Sequence, residues 1–263
     1  MNEKKVKKPF SGKKALVIGG TGGIGRAVAL GLAQRGAELT VHGGSSRERL
    51  ENTLKAIGEM GGKADGFLLP IDNPAAVEEI IKRAPEPHIL VCAWGPFRRA
   101  PLEALDREFW QYMVMGNLIF PGLAVSLVLP GMIRKKWGRI LLFGGTNTDT
   151  IRGYISSTAY SAAKTGLGVI AKSAAKSAAK SAAKSTAGSM GKSGINWGVT
   201  CNVICPGLTD TEYLGENEKK YNRELSPGAE PLKPEEIARF CMDILDNPGI
   251  NGAIIPVDGG ICL

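Results

Sequence analysis

Histidine is nearly absent from this chain: His42 and His88 are the only two in 263 residues. A histidine-built metal centre therefore lacks ligands. The five cysteines, Cys92, Cys201, Cys205, Cys241 and Cys262, are odd in number and scattered, with no C-x-x-C pair. That pattern suits a reducing compartment and argues against a disulfide framework or a thiolate zinc site. No apolar run approaches the ~18 residues needed to cross a bilayer. The basic start, MNEKKVKKPFSGKK, has no apolar stretch behind it that would make a signal peptide. Acidic residues are in deficit, 25 against 33 Lys plus Arg, leaving a formal net charge of +8. Such a surplus can attract nucleic acid or acidic partners. Here several of the lysines fall in the N-terminal tail and in a repeat, as with Lys176, Lys180 and Lys184, so solvated segments account for it. The expectation is a soluble, cytoplasmic protein with no metal, no membrane contact and no nucleic-acid partner.

What is present is an alternation. Short β-branched runs at 15–18, 39–42, 66–70, 89–93, 139–143, 200–204 and 253–257 are separated by amphipathic stretches at 26–35, 46–60, 75–83 and 105–127. Parallel strands need crossovers, and helices supply them, so seven strands with helices between predict one doubly wound parallel α/β sheet covered on both faces. With no linker to divide it, residues 1–263 are expected to form a single Rossmann domain. The polar, Gly- and Pro-broken segment at 212–232 reads as a substrate loop at the C-terminal edge of the sheet.

Directly after the first strand stand Gly19, Gly20, Thr21, Gly22, Gly23, Ile24 and Gly25, followed by a helical stretch. Glycines let the backbone turn tightly and approach a pyrophosphate, and the helix N-terminus adds free N–H groups and a positive dipole end. The position predicts dinucleotide binding. A second glycine cluster ending in Gly191, Lys192 and Ser193 resembles a P-loop, but Thr186 stands where the first Gly belongs and no strand precedes it. At the end of the second strand, where a carboxylate would select NAD(H), the chain has Gly43, Gly44, Ser45, Ser46 and Arg47. Donors and a positive charge there favour NADP(H) over NAD(H).

Tyr160 precedes Lys164 by four residues on a stretch of helical composition, so the two share a helix face. An ammonium beside a phenol favours the phenolate and makes the tyrosine a usable proton donor and acceptor.

Together with further segments in the same order, this pair resembles the short-chain dehydrogenase/reductase family from about residue 10 to the end of the chain. Gly19, Gly23 and Gly25 match the family's opening glycines, and Asp72 its Asp near the adenine. Gly95 is all that is kept of its N-N-A-G segment. Asn117 matches its structural Asn, Pro206, Gly207, Thr209 and Thr211 its P-G segment, and 257–260 its V-D-G-G. The resemblance implies that Tyr160 donates a proton to a carbonyl oxygen as hydride arrives from the nicotinamide. Lys164 lowers the tyrosine pKa and holds the ribose, and Asn117 anchors a water. The family's carbonyl-polarising Ser is missing. Strand register puts it at Gly145, and counting back from Tyr160 puts it at Asn147. Thr146, the nearest hydroxyl, is expected to take the role; the amide of Asn147 is an alternative, as is no residue at all.

The tetrapeptide Ser-Ala-Ala-Lys starts at Ser161, Ser173, Ser177 and Ser181. Only the first copy follows a tyrosine. Lysines every fourth residue drift ~40° per step around a helix and so form no single binding stripe. The others read as a helical low-complexity insert around 173–190, lengthening a helix that in this family meets a partner subunit. The resemblance implies a homotetramer or homodimer and an NADPH-dependent reductase of 3-oxoacyl thioesters or similar ketones, with an acyl carrier protein as a candidate partner. An alcohol or sugar dehydrogenase and a non-catalytic NADP-binding regulator are the alternatives.

Overall fold

The seven runs form β1 (Lys14–Ile18), β2 (Glu38–Gly43), β3 (Lys63–Leu68), β4 (Ile89–Cys92), β5 (Gly138–Phe143), β6 (Val199–Pro206) and β7 (Ile254–Val257). All pair in parallel, in the order β3-β2-β1-β4-β5-β6-β7. This computed structural model describes residues 8–186, 198–215 and 230–260. The helices among them are α1 (Gly23–Gln34), α2 (Arg47–Glu59), α3 (Pro74–Arg83), α4 (Arg107–Val114), α5 (Phe120–Arg134), α6 (Thr158–Thr186) and α7 (Pro234–Asp246).

The period-two pattern of the strands sorts their side chains. Ala15 and Val17 of β1, with Leu141 and Phe143 of β5, join the core shared with α1 and α7. Leu16 and Ile18, with Ile140 and Leu142, join the core shared with α3, α5 and α6. Both faces are therefore apolar, as a fully covered parallel sheet requires. β3 departs from the expected 66–70. It starts at Lys63 and pairs residue for residue with β2 from Glu38 to Gly43. Its polar Lys63 and Asp65 sit on an edge strand, which hides the strand from an apolar pattern.

The expected helix at 105–127 is interrupted. α4 and α5 are joined by a π-helical turn, Met115–Ile119, which contains the buried Asn117. The Asn117 side chain donates from Nδ2 to the Met113 carbonyl at 3.0 Å. That is the kind of side-chain competition that loosens a helical ladder. The stretch Arg107–Arg134 is also long and apolar enough to cross a membrane, which corrects the reading that no such run exists. Its residues Met113, Phe120, Ala124, Val125, Val128 and Met132 are instead buried in the protein, the pattern of a core helix.

α6 extends 29 residues, to Thr186. Its first part carries Tyr160 and Lys164. In the first two added copies, Ala174 and Ala178 face the core while Lys176 and Lys180 are exposed. The first two added copies are thus laid against the body of the protein rather than projecting from it. Residues 187–190 of the expected insert, and 216–229 of the expected substrate loop, lie outside the described residues.

Candidate active site

The residues expected to act stand at and beyond the C-terminal ends of β1, β4, β5 and β6. At β1, Gly19 turns with φ +79°, and its N–H donates to the His42 carbonyl at 3.1 Å. His42 is fully buried, and burial lowers its pKa, so the ring is neutral. Its Nε2 lies 2.8 Å from the Leu69 carbonyl, and Nδ1 3.4 Å from the Gly19 N–H. One tautomer, protonated at Nε2, satisfies both contacts. His42 therefore braces the glycine turn from the end of β2, a role that no local signal in the sequence announces. Gly25 must lack a side chain, because a Cβ there would collide with the Gly19 carbonyl.

α1 begins at Gly23 with Gly22 as its N-cap and no capping side chain of its own. Its N–H groups face Thr211, Glu212 and Tyr213 instead. The Gly23 N–H donates to Glu212 Oε2 at 3.2 Å, and Thr211 packs against Gly23. Arg49 of α2 reaches this same point. Its Nη1 donates to the Tyr213 hydroxyl at 2.8 Å and lies 3.6 Å from Glu212 Oε1.

The residues expected at the ribose end are arranged differently. Ser46 caps α2, accepting from the Arg49 N–H at 3.3 Å, and Ser45 is exposed. The Arg47 side chain is 80% exposed and pairs with Glu51. The guanidinium turned toward the glycine turn belongs to Arg49, two residues on. Thr21 stands against Gly43, and Ile24 packs on the core. Asp72 is exposed between β3 and α3 and accepts from Asn73 Nδ2 at 2.7 Å. Pro206 ends β6, the Gly207 N–H donates to the Val257 carbonyl at 3.0 Å, and Thr209 donates to the Gly207 carbonyl.

Tyr160 and Lys164 lie one turn apart on α6. Lys164 Nζ donates to the Phe143 carbonyl at 2.8 Å and sits 5.7 Å from the centre of the Tyr160 ring. Burial draws the Lys164 pKa down to about 8 and pushes that of Tyr160 up. The expected lowering of the phenol pKa is therefore absent in this state. The ammonium is spent on a carbonyl instead of the hydroxyl, and desolvation outweighs it. Asn117 donates from Nδ2 to the Pro96 carbonyl at 2.8 Å, while its buried Oδ1 has no hydrogen-bond partner among the described residues. That oxygen and Lys164 Nζ both border Gly95, where a Cβ would collide with Oδ1 and lie 3.2 Å from Nζ. An orphaned acceptor beside an ammonium marks a place for a polar guest.

Of the residues after β5, Gly145 is the one set against the phenol. A Cβ on Gly145 would stand 2.7 Å from the Tyr160 hydroxyl, so the residue that faces the phenol is a glycine. Thr146 Oγ1 donates to the Pro206 carbonyl at 3.2 Å. Asn147, at φ +64°, accepts on Oδ1 from Arg152 and on its carbonyl from the Tyr154 hydroxyl. The buried Thr148 hydroxyl donates to the Gly145 carbonyl at 2.9 Å and accepts from its N–H at 2.8 Å. The Thr146 and Thr148 hydroxyls thus donate to backbone carbonyls. Phe97 closes the outer side of the site, meeting the Tyr160 ring edge-on at 4.8 Å between centres.

Comparison with known proteins shows the family. The profile described as "short chain dehydrogenase" matches residues 13–177, more than half of the chain. The chain belongs to the short chain dehydrogenase family. A second profile, described as "Enoyl-(Acyl carrier protein) reductase", matches residues 168–262. Among curated members of the family, the 3-oxoacyl-[acyl-carrier-protein] reductase of Pseudomonas aeruginosa is 31% identical over 96% of this chain and 98% of its own. The D-beta-hydroxybutyrate dehydrogenase of Cupriavidus necator is 28% identical over 95% and 98%. Among solved structures, a 3-oxoacyl (acyl-carrier-protein) reductase of Agrobacterium tumefaciens with NADP bound superposes with a TM-score of 0.82, at 25% identity, covering 98% of this chain and 97% of that one. As a family member, the chain is an NAD(P)-dependent oxidoreductase with a Rossmann sheet.

Proposed function

We propose that the protein reduces a carbonyl, a 3-oxoacyl thioester or similar ketone, to a secondary alcohol with NADPH. One observation carries the reading: Lys164 and the orphaned Oδ1 of Asn117 meet at the side-chain-free Gly95, and Tyr160 stands one helical turn before Lys164 on α6. The donor groups at this edge suit a dinucleotide. The N–H groups at the start of α1 suit phosphate oxygens, and the absence of a side chain at Gly95 lets the Lys164 ammonium and the unpartnered Asn117 Oδ1 come close to one another, a donor and an acceptor that suit a ribose hydroxyl or a water. When bound, the nicotinamide supplies the hydride.

The protein's own groups do the rest. Tyr160 gives its hydroxyl proton to the carbonyl oxygen as negative charge develops there. Lys164 turns from the Phe143 carbonyl toward the ribose and the phenol, and its positive charge lowers the cost of leaving Tyr160 as phenolate. Asn117 holds the water that returns a proton to this pair. Gly145 contributes no hydroxyl, so Tyr160 is the principal donor to the substrate oxygen. Arg49, whose guanidinium reaches the glycine turn from the start of α2, supports NADP(H) over NAD(H). The curated 3-oxoacyl-[acyl-carrier-protein] reductases support the substrate class and an acyl carrier protein as its bearer. The exposed Leu127 of α5 and Val169 of α6 support assembly into a dimer or tetramer, and the compartment is the cytoplasm.

The test is NADPH oxidation against a panel of 3-oxoacyl thioesters, ketones and sugar acids, with Tyr160→Phe as control. Turnover of a 3-oxoacyl thioester that Tyr160→Phe reduces by ~10²-fold or more supports the reading. Activity untouched by that substitution overturns the mechanism. A second reading, a non-catalytic NADP-binding regulator, is favoured by the glycine at 145; it predicts tight NADPH binding with no turnover on any substrate.

A further inference from the structure

The residues just past β6 occupy the place where a dinucleotide's phosphates would approach α1. Glu212 puts a carboxylate oxygen on the Gly23 N–H at 3.2 Å, and its other oxygen lies where a Gly22 side chain would begin. The Tyr213 hydroxyl lies 2.6 Å from that same Gly22 Cβ position, so Gly22 is buried although it belongs to an open turn. Arg49 clamps the pair from the other side, donating to the Tyr213 hydroxyl at 2.8 Å, lying 3.6 Å from Glu212 Oε1 and 5.1 Å over the Tyr213 ring. An anion on the free N–H groups of a helix and an anion beside a guanidinium are the two contacts that the phosphate groups of NADPH require. Glu212 and Tyr213 supply surrogates for both.

We infer that Glu212 and Tyr213 form a built-in competitor that the cofactor must displace, with Arg49 as the shared partner of plug and nucleotide. The inference rests on the reading of the glycine turn as the cofactor site. The plug is held weakly. Glu212 and Arg49 keep side-chain exposures of 38% and 43%, and an exposed ion pair or a carboxylate on a helix N-terminus each changes an equilibrium by a factor of about two to five. A dinucleotide brings more charge and more hydrogen bonds, so it displaces the plug at the expense of affinity: the apparent Kd is the intrinsic one divided by the open fraction. The selective value is a cofactor-free protein whose helix N-terminus is capped and whose Arg49 is already aimed at the site.

Direct titration of NADPH and NADH by calorimetry or tryptophan fluorescence tests this without turnover. Glu212→Gln keeps the shape, removes the charge and is expected to tighten both cofactors roughly three- to tenfold. Equal gain for both is expected because the freed contact is the one at α1, common to the two nucleotides. Unchanged or weaker binding by Glu212→Gln, shown to be folded by its thermal transition, overturns the plug. Arg49→Ala separates displacement from simple repulsion. It frees the plug while leaving the Glu212 charge, so NADH, which has no 2′-phosphate, is expected to bind more tightly. If Glu212→Gln tightens NADH but Arg49→Ala weakens it, Glu212 merely repels the nucleotide and the plug is overturned. A wild-type protein that binds neither nucleotide overturns the cofactor reading and the plug with it, whereas wild-type binding with unmoved variants overturns the plug alone.

Discussion

The Tyr160 hydroxyl lies 2.7 Å from the point where a β-carbon on residue 145 would stand, and residue 145 is glycine. The phenol of this protein therefore fills part of the space that a side chain after β5 would take, and the ring atoms Cε1 and Cζ crowd the same point at 2.8 and 3.1 Å. Phe97 meets the ring at 4.8 Å, which limits how far it can retreat. A serine at 145 is thus a steric intruder here before it is a hydrogen-bond donor. Gly145→Ser is expected to lower kcat about tenfold or more by displacing the phenol, since a misplacement of ~1 Å is enough for such losses. Steady-state kinetics checks it; an increase in kcat would show that the ring moves freely and that the site lacks only the hydroxyl.

Lys164 gives the site a pH signature. Its pKa falls from 10.5 to about 8 because the ammonium is buried. Below pH 8 it is charged in both the folded and unfolded chain, and burying the charge costs roughly 3 kcal/mol. Between about pH 8 and 10.5 the unfolded chain binds more protons, so this residue's contribution to stability rises with pH. The buried cysteines act the other way, as with Cys92, whose pKa burial pushes up to about 12. Comparison with Lys164→Met isolates the lysine: wild type is expected to gain roughly 2 kcal/mol on the variant between pH 7.5 and 9.5, measured by denaturant unfolding. In the reductive direction, kcat/KM of the free enzyme is expected to fall above about pH 8 as the ammonium is lost. A flat profile to pH 10 would remove Lys164 from its role.

Arg49 rather than Arg47 is expected to set the cofactor preference. Arg47 is held in solvent beside Glu51, whereas Arg49 reaches the glycine turn. Arg49→Ala should raise the Kd of NADPH about tenfold or more relative to that of NADH, and Arg47→Ala should leave the ratio within about twofold, because an exposed i,i+4 pair contributes little. Equal effects of the two substitutions would assign the 2′-phosphate elsewhere.

These residues also mark where the sequence was legible. The seven strands, their parallel order and the glycine turn rest on periodicity and on glycines next to a strand end, which are local features. The Tyr160 and Lys164 pair is local too, one helical turn on α6. What escaped is carried by contacts distant along the chain. His42 bracing Gly19 and Leu69, Arg49 meeting Tyr213, and Glu212 meeting Gly23 span 23 to 189 residues, and no pattern within one segment encodes them. The serine position divided between two counts because residues 145–148 close on themselves through Thr148. Only the contact between Gly145 and Tyr160 decides which residue faces the phenol.

Arg139 is a structural counterpart to the site residues. It is 6% exposed, and its guanidinium donates to the carbonyls of Leu245, Gly138 and Gly198 at 2.8, 2.9 and 3.2 Å. It thereby ties the end of α7 to the start of β5. Truncation leaves three carbonyls short of a donor in a buried place, so Arg139→Met is expected to destabilise the fold by about 2–4 kcal/mol. NADPH affinity, measured where the variant remains folded, should stay within about threefold, because the end of α7 and the start of β5 lie at the opposite end of the strands from the glycine turn. A loss of affinity at intact folding would place Arg139 in the coupling between α7 and the site.

The repeat offers a test in which the same amino acid has two fates. Ala174 and Ala179 belong to adjacent Ser-Ala-Ala-Lys copies on α6, yet Ala174 is 4% exposed in the core beneath the sheet and Ala179 faces solvent. A helix advancing ~100° per residue turns them to different faces, so the first and second alanines of the tetrapeptide pack differently although they are the same amino acid. Ala174→Lys forces a charged chain into a packed, apolar contact and is expected to cost about 2–4 kcal/mol, whereas Ala179→Lys should stay within ~0.5 kcal/mol. Lysine and alanine are both good helix formers, so propensity predicts no difference between the two positions. Denaturant midpoints that fall for Ala174→Lys and hold for Ala179→Lys show the first two added copies docked as described. Equal midpoints would mean that the repeat lies off the protein and serves only to lengthen the helix.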